Sequence, residues 1–259
     1  DLGLLTLERG DGRGHFEHLA ITPLRPAQGN GFVDGSYNFA SADLDDDGRL
    51  DLAIGCRGKF VLLMRNQGNG RFQPMARFPT ASSAKGVALA DLDQDGLQDL
   101  LYTARGTARS GDTKTGILYL RRGQGRWKFS KPITLEAGIS AYYIDTADLN
   151  GDGFLDVLVP NELGRTVSFW LNPGKSIFKQ LKLLRRRVVT TSGFRINDVR
   201  ARDFTGDGHL DILSANWSSS TISLFPGRGD GTFGKERLTA AGKHCVFFAV
   251  GDFDRDDDL

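Results

Sequence analysis

Residues 42–55 read ADLDDDGRLDLAIG, and ten of them return along the chain. DLDDDGRLDL from Asp43 recurs as DLDQDGLQDL from Asp91, DLNGDGFLDV from Asp148, DFTGDGHLDI from Asp203 and, shortened, DFDRDDDL from Asp252. Successive copies start 48, 57, 55 and 49 residues apart. That period matches a four-stranded propeller blade and is too long for ankyrin, tetratricopeptide or leucine-rich repeats.

The surroundings of each copy carry strand patterns. An apolar or small-residue stretch precedes it at 37–44, 86–92, 144–149 and 246–253, the expected inner strand. LDLAIG, QDLLYT, LDVLVP and LDILSA follow as second strands, and 60–63, 117–120, 167–171 and 222–225 as third strands. Then comes a glycine turn with an aromatic: GNGRF to Phe72, GQGRW to Trp127, PGKSIF to Phe178, GDGTF to Phe233, and an earlier GRGHF to Phe16. This turn is expected to open the outer strand, with Trp127 standing in for the phenylalanine. No stretch keeps helical periodicity over ten residues, so the chain reads as all-β, one domain over residues 1–259.

Chemistry concentrates in the acidic phrase. Carboxylate or amide oxygens at positions one, three and five, glycine at six and aspartate at nine wrap a hard cation, the glycine permitting the sharp bend. Calcium, with six to eight oxygen ligands at about 2.3–2.6 Å, suits this better than magnesium, which needs a compact octahedron and keeps its waters. The expected ligands are Asp43, Asp45, Asp47 and Asp51; Asp91, Asp93, Asp95 and Asp99; Asp148, Asn150, Asp152 and Asp156; Asp203, Thr205, Asp207 and Asp211; and Asp252, Asp254 and Asp256. About one Ca2+ per repeat follows, four or five in all. Position seven would offer only its carbonyl, so Arg49, Leu97, Phe154 and His209 are free to differ. The absence of glutamate at position twelve and the flanking strands exclude an EF-hand. One such phrase alone also fits an ordinary solvated turn, though metal is favoured even there; recurrence in phase favours metal strongly. Thr205 in the fourth copy and Asp257, in place of glycine in the fifth, weaken those two sites.

Composition narrows the function. The 259 residues are 39% hydrophobic and 25% charged, with 33 basic against 32 acidic residues, so no overall field recruits nucleic acid or an anionic membrane. No apolar run approaches the ~18 residues of a membrane span, no basic-then-apolar leader pattern is present, and two cysteines, Cys56 and Cys245, make no disulfide framework. Neither HExxH nor GxSxG occurs, and no residue is singled out as catalytic. Arg228-Gly229-Asp230 belongs to the repeat's own turn, and the run Arg185–Arg187 lacks the interleaved aromatics of a nucleic-acid platform.

Inner strand, DxDxDGxxDL loop, two apolar strands and GxGxF turn together resemble the FG-GAP or VCBS repeat family, to which the integrin α-subunit head and a fungal fruit-body lectin belong. The resemblance covers essentially the whole chain. It implies a β-propeller of four-stranded antiparallel blades, usually seven, with calcium between the first and second strands and roles in adhesion, in glycan binding or beside catalytic domains. Here the repeats number five. Asp1-Leu2 would complete the last phrase as DRDDDLDL, which suggests a five-bladed ring with one blade shared by both ends; part of a seven-bladed propeller is the alternative.

If the acidic loops lie on one face, the entries to the first strands and the turns between second and third strands share the other. That face is expected to gather Tyr37, Lys85, Tyr142, Arg195 and His244 near the central opening, with Asn216 and Trp217 outside them, beside Arg57, Arg105, Asn161 and Glu162. Aromatics beside amides and arginines suit a sugar, a peptide or a carboxylate-bearing ligand. A lectin-like or adhesive module ranks first, a protein-interaction scaffold second, and the non-catalytic propeller of a secreted enzyme third. If the loops bind at the weak end of the calcium range, the expected compartment is extracellular or periplasmic.

Overall fold

The computed structural model describes residues 4–11, 15–23, 35–106, 108–109, 112–113 and 115–251. A hairpin of β1 (Leu4–Gly10) and β2 (Phe16–Pro23) comes first. Four antiparallel four-stranded sheets follow in chain order. The first holds β3 (Ser36–Ala42), β4 (Asp51–Cys56), β5 (Phe60–Asn66) and β6 (Phe72–Pro79). In the second are β7 (Ala84–Ala90), β8 (Asp99–Ala104), β11 (Thr115–Arg121) and β12 (Ile133–Ile139), with a two-residue hairpin, β9 (Ala108–Arg109) and β10 (Asp112–Thr113), inserted between its middle strands. The third comprises β13 (Asp145–Ala147), β14 (Asp156–Asn161), β15 (Thr166–Trp170) and β16 (Arg187–Thr190), and the fourth β17 (Ile196–Arg202), β18 (Asp211–Asn216), β19 (Thr221–Phe225) and β20 (Arg237–Ala240).

The second strands β4, β8 and β14 are buried at every residue, because both faces of each sheet are covered. Successive side chains then serve opposite neighbours. Leu100, Tyr102 and Ala104 join Ala53, Val61 and Leu63 of the preceding sheet, whereas Leu101 joins Val157, Val159 and Trp170 of the next. Leu158, Val167 and Phe169 likewise pack on Val199, Ala201 and Ile212. Such face-to-face stacking of sequential sheets is a propeller's architecture. Near the axis, the Tyr143 hydroxyl donates to the Tyr37 carbonyl (3.3 Å) and its ring lies 5.2 Å from that of Phe247. One side chain from the third blade thus bridges the first inner strand and the segment after the fourth blade. Gly86 is obligatory here, since a Cβ would come within 2.5 Å of the Tyr142 carbonyl.

Three expectations change. Residues 246–251 form no strand, and the rest of that expected inner strand lies outside the described residues, with Asp252, Asp254, Asp256 and the join to Asp1-Leu2. The third blade's turn does not lead directly into an outer strand: a 3-10 turn at Leu181–Leu183 intervenes, and β16 begins at Arg187. Trp127 does not replace the turn phenylalanine. Phe129 does, bridging Gly123 as Phe233 bridges Gly227, while Phe72 pairs with Asn66. In that register Trp127 stands where the first and fourth turns have Gly70 and Gly231, and it takes their left-handed backbone: φ is 68° at Trp127, 72° at each glycine.

Candidate metal centre and ligand face

Each acidic loop leaves the first strand of a blade and returns into the second, and two carboxylates dictate its path. Position one accepts the amides of positions five and six: Asp43 from Asp47 (3.2 Å) and Gly48 (2.7 Å), Asp91 from Asp95 (3.1 Å) and Gly96 (2.9 Å), Asp148 from Asp152 (3.1 Å) and Gly153 (2.8 Å), Asp203 from Asp207 (3.2 Å) and Gly208 (2.7 Å). Position nine is fully buried in all four loops. One oxygen of Asp51, Asp99, Asp156 and Asp211 accepts the amide of position two, at 2.8–3.0 Å. The other accepts an amide at or just past the end of the third strand, from Asn66, Gly123, Asn172 and Gly227, at 2.7–2.8 Å. The glycine at six is required by its φ of 81–87°.

The residues fit a hard cation most clearly in the first two loops. Asp43, Asp45 and Asp47 each bring an oxygen within 4.8 Å of the others, as do Asp91, Asp93 and Asp99. One oxygen of Asp45, one of Asp93 and the Thr205 hydroxyl are buried without a hydrogen-bond partner. Buried acceptors left without donors are what a cation would satisfy. Burial, with Asp93 and Asp95 adding repulsion, pushes Asp99 up to about 7, and burial pushes Asp156 up to about 6. In the third loop Asn150 instead donates its amide to Asp152 (2.9 Å).

Arginines that sequence reading passed over also enter the first two loops. Arg65 pairs with Asp45 (2.8 Å) and Asp47 (3.1 Å), and Arg122 with Asp93 (2.7 Å) and Asp95 (2.8 Å). Both precede the residue whose amide caps position nine; their counterparts in the third and fourth blades are Leu171 and Pro226. That offset from the repeat was the available signal.

At the opposite ends of the sheets the expected ligand residues form two groups. The Lys85 ammonium lies 3.2 Å from the Tyr37 ring centroid and 4.9 Å from that of Tyr142. It is nearly buried, and burial, with Arg105 and Arg57 nearby and Glu162 opposing, brings it down to about 8. Arg105 beside it pairs with Glu162 at 2.8 Å. In the second group the Arg195 guanidinium lies 5.1 Å from the Trp217 ring, which is 5.1 Å from that of His244. Asn216 is a correction: it is fully buried, and its amide donates to Thr221 (3.1 Å) and Ser223 (2.7 Å), clasping its own sheet. Asn161 does the same with Thr166 and Ser168. The shared spacing, NELGRTVS and NWSSSTIS, marks both as structural.

Blades of four antiparallel strands, each carrying an aspartate-built loop between its first two strands, define a repeat-built β-propeller. The chain belongs to the FG-GAP-like repeat family, whose pattern matches residues 43–102, 107–159 and 203–259. No curated protein matches it in sequence. Among solved structures, a functionally unknown protein from Desulfotomaculum acetoxidans DSM 771 is similar with a TM-score of 0.52 at 14% identity; the match covers 80% of this chain and 58% of that one. A Tc holotoxin pore of Photorhabdus luminescens is matched over 95% of this chain and 11% of its own, with a TM-score of 0.39 and 18% identity. The first likeness bears on the fold alone.

Proposed function

We propose that the protein is a non-catalytic, calcium-stapled binding module that holds a glycan on the face opposite its acidic loops. The observation that carries this reading is the array of rings and cations at these ends of the sheets: Tyr37, Lys85 and Tyr142 at the entries of first strands in one group, and in the other Arg195 with Trp217, from the turn between second and third strands, and His244, from the segment after the fourth blade. Ring faces pack against the apolar side of a sugar, and guanidinium forks orient its oxygens. The surplus of Lys85, Arg57 and Arg195 over the paired Arg105–Glu162 favours a glycan bearing a carboxylate. Calcium supplies structural binding energy, because the folded loop alone gathers the ligands. An extracellular or periplasmic setting accords with loops that saturate only at high calcium.

A glycan array probed with the wild type, Trp217→Ala and Tyr142→Ala tests the ligand. Carboxylate-bearing glycans are expected to bind the wild type, and each variant to lose tenfold or more in affinity. A protein that ignores every glycan overturns the reading. Melting in calcium, in magnesium and after chelation, with bound ions counted by native mass spectrometry, tests the staple; no calcium-specific rise sinks it.

A further inference from the structure

We propose a second sugar site, on the acidic-loop face in the cleft between the first two blades, with the Trp127 indole as its platform. The cleft has a volume of about 270 Å³, and its walls include Asp43 and Asp46 of the first loop, Leu97 and Gln98 of the second, and Trp127 and Lys128 of the second blade's turn. Ligand sites of ordinary drug size begin at about 300 Å³, so this cleft suits one sugar ring rather than a longer chain.

Trp127 is held in place at a cost. Three consecutive residues of its turn are left-handed, Gly125, Arg126 and Trp127, with φ of 73°, 47° and 68°. A bulky side chain in that region is a steric outlier, and such strain gathers at ligand sites. At the position of Trp127 the first and fourth turns take the same left-handed φ with glycine, Gly70 and Gly231, so the fold itself does not ask for an indole. The ring is half-buried, packed beside Phe129 against the core shared by the first two blades, and its Nε1–H donates to Asp45 at 3.2 Å. Asp45 is held in turn by Arg65 at 2.8 Å. The indole is therefore oriented before any ligand arrives, which lowers the entropy lost on binding.

The polar groups around it define the ligand. Asp43 is occupied by the amides of Asp45, Asp47 and Gly48. Asp46 is exposed, at the left-handed fourth position of its loop, and Gln98 offers both a donor and an acceptor. Lys128 lines the same cleft and offsets the carboxylates, which removes the field that a cationic ligand would need. A ring platform with interspersed acceptors and donors and little net charge matches a neutral sugar: its C–H face packs on the indole and its hydroxyls pair with the polar wall. This site is independent of the one on the opposite face.

The test follows indole Nε1–H signals in the 15N-labelled, calcium-loaded protein, assigned through single substitutions of Trp127, Trp170 and Trp217. The probes are the methyl glycosides of glucose, galactose, mannose, fucose and N-acetylglucosamine and, separately, an arginine-rich peptide. A saturable shift of the Trp127 signal by at least one glycoside is expected, with a Kd in the millimolar range. Trp127→Gly restores the residue of the first and fourth turns and is expected to fold and to lose binding. Asp46→Gly, which keeps the left-handed backbone, is expected to weaken the Trp127 shift at least fivefold while leaving the Trp217 signal unaffected. The proposal is overturned if no glycoside moves the Trp127 signal, if only the cationic peptide moves it, or if Asp46→Gly leaves the affinity unchanged. Failure of the opposite-face reading would register on Trp217 instead.

Discussion

The first two acidic loops and the next two share one backbone and differ in charge. In the first pair, position three is a carboxylate, Asp45 or Asp93, and an arginine from the end of the third strand, Arg65 or Arg122, lies against it. In the second pair, position three is Asn150 or Thr205, and the arginine's place is taken by Leu171 or Pro226. The carboxylate and its guanidinium are present together or absent together. Positions one and nine, by contrast, make the same amide bonds in all four loops. Shape is thus encoded by the invariant pair of aspartates, and the arginines act as counter-charges where the loop would otherwise hold one carboxylate too many.

The largest effect should come from what the loops share. Asp99→Ala in the first pair and Asp211→Ala in the second each strip two amides of their acceptor, the buried Leu92 and Gly123 in one, the half-buried Phe204 and the buried Gly227 in the other. Each is expected to destabilise by about 2–5 kcal/mol in urea unfolding, with or without calcium, because unpaired buried amides are the cause. A loss seen only with calcium present would make position nine a metal ligand first and a staple second.

A smaller effect should separate the pairs. Without calcium, Arg122→Leu is expected to cost about 1 kcal/mol, since a half-exposed guanidinium contributes modestly. With calcium titrated in, the same variant should bind an ion several-fold more tightly, because Asp93 and Asp95 no longer share their oxygens with a fixed cation. Leu171→Arg should do the reverse in the third loop. Isothermal titration reads both; an Arg122→Leu protein whose calcium isotherm matches the wild type would erase the distinction.

Repetition made most of the fold legible. Second and third strands were readable because their apolar runs follow each phrase at constant distance, and both-face burial explains why β4, β8 and β14 show no alternation. The register of the turns was less accessible. GQGRW looks like GNGRF, and only the bridge from Gly123 to Phe129 reveals that Trp127 sits at a glycine position. The grouping of the proposed ligand residues was legible as a set of positions, since Tyr37, Lys85 and Tyr142 all occupy strand entries, but burial was not. Asn216 looked available because it precedes Trp217 in a serine-rich loop; the Thr221 and Ser223 hydroxyls that consume its amide lie on the paired strand, across a register that a linear reading does not supply.

The last effect concerns the proposed ligand face as against the loops: its central charge is fixed by burial rather than by pairing. Lys85 is brought down to about 8 by burial, so between pH 8 and 10 the unfolded chain holds a proton that the folded chain has released. Stability therefore rises with pH across that window, and the cost of the buried ammonium is present in full below it. The Tyr37 ring face, 3.2 Å away, retains part of the charge's stabilisation, so the rise should be about 1 kcal/mol rather than the about 3 kcal/mol that the shift alone implies. Lys85→Met keeps the volume and removes the titration. Its stability profile, measured by urea midpoints, should lie above the wild type at pH 7 and converge with it by pH 10. Burial also raises Tyr142, whose ionisation acts in the opposite sense at the alkaline end of that window. Parallel profiles would mean that Lys85 keeps an ordinary affinity for its proton, with the tyrosine rings fully compensating its burial.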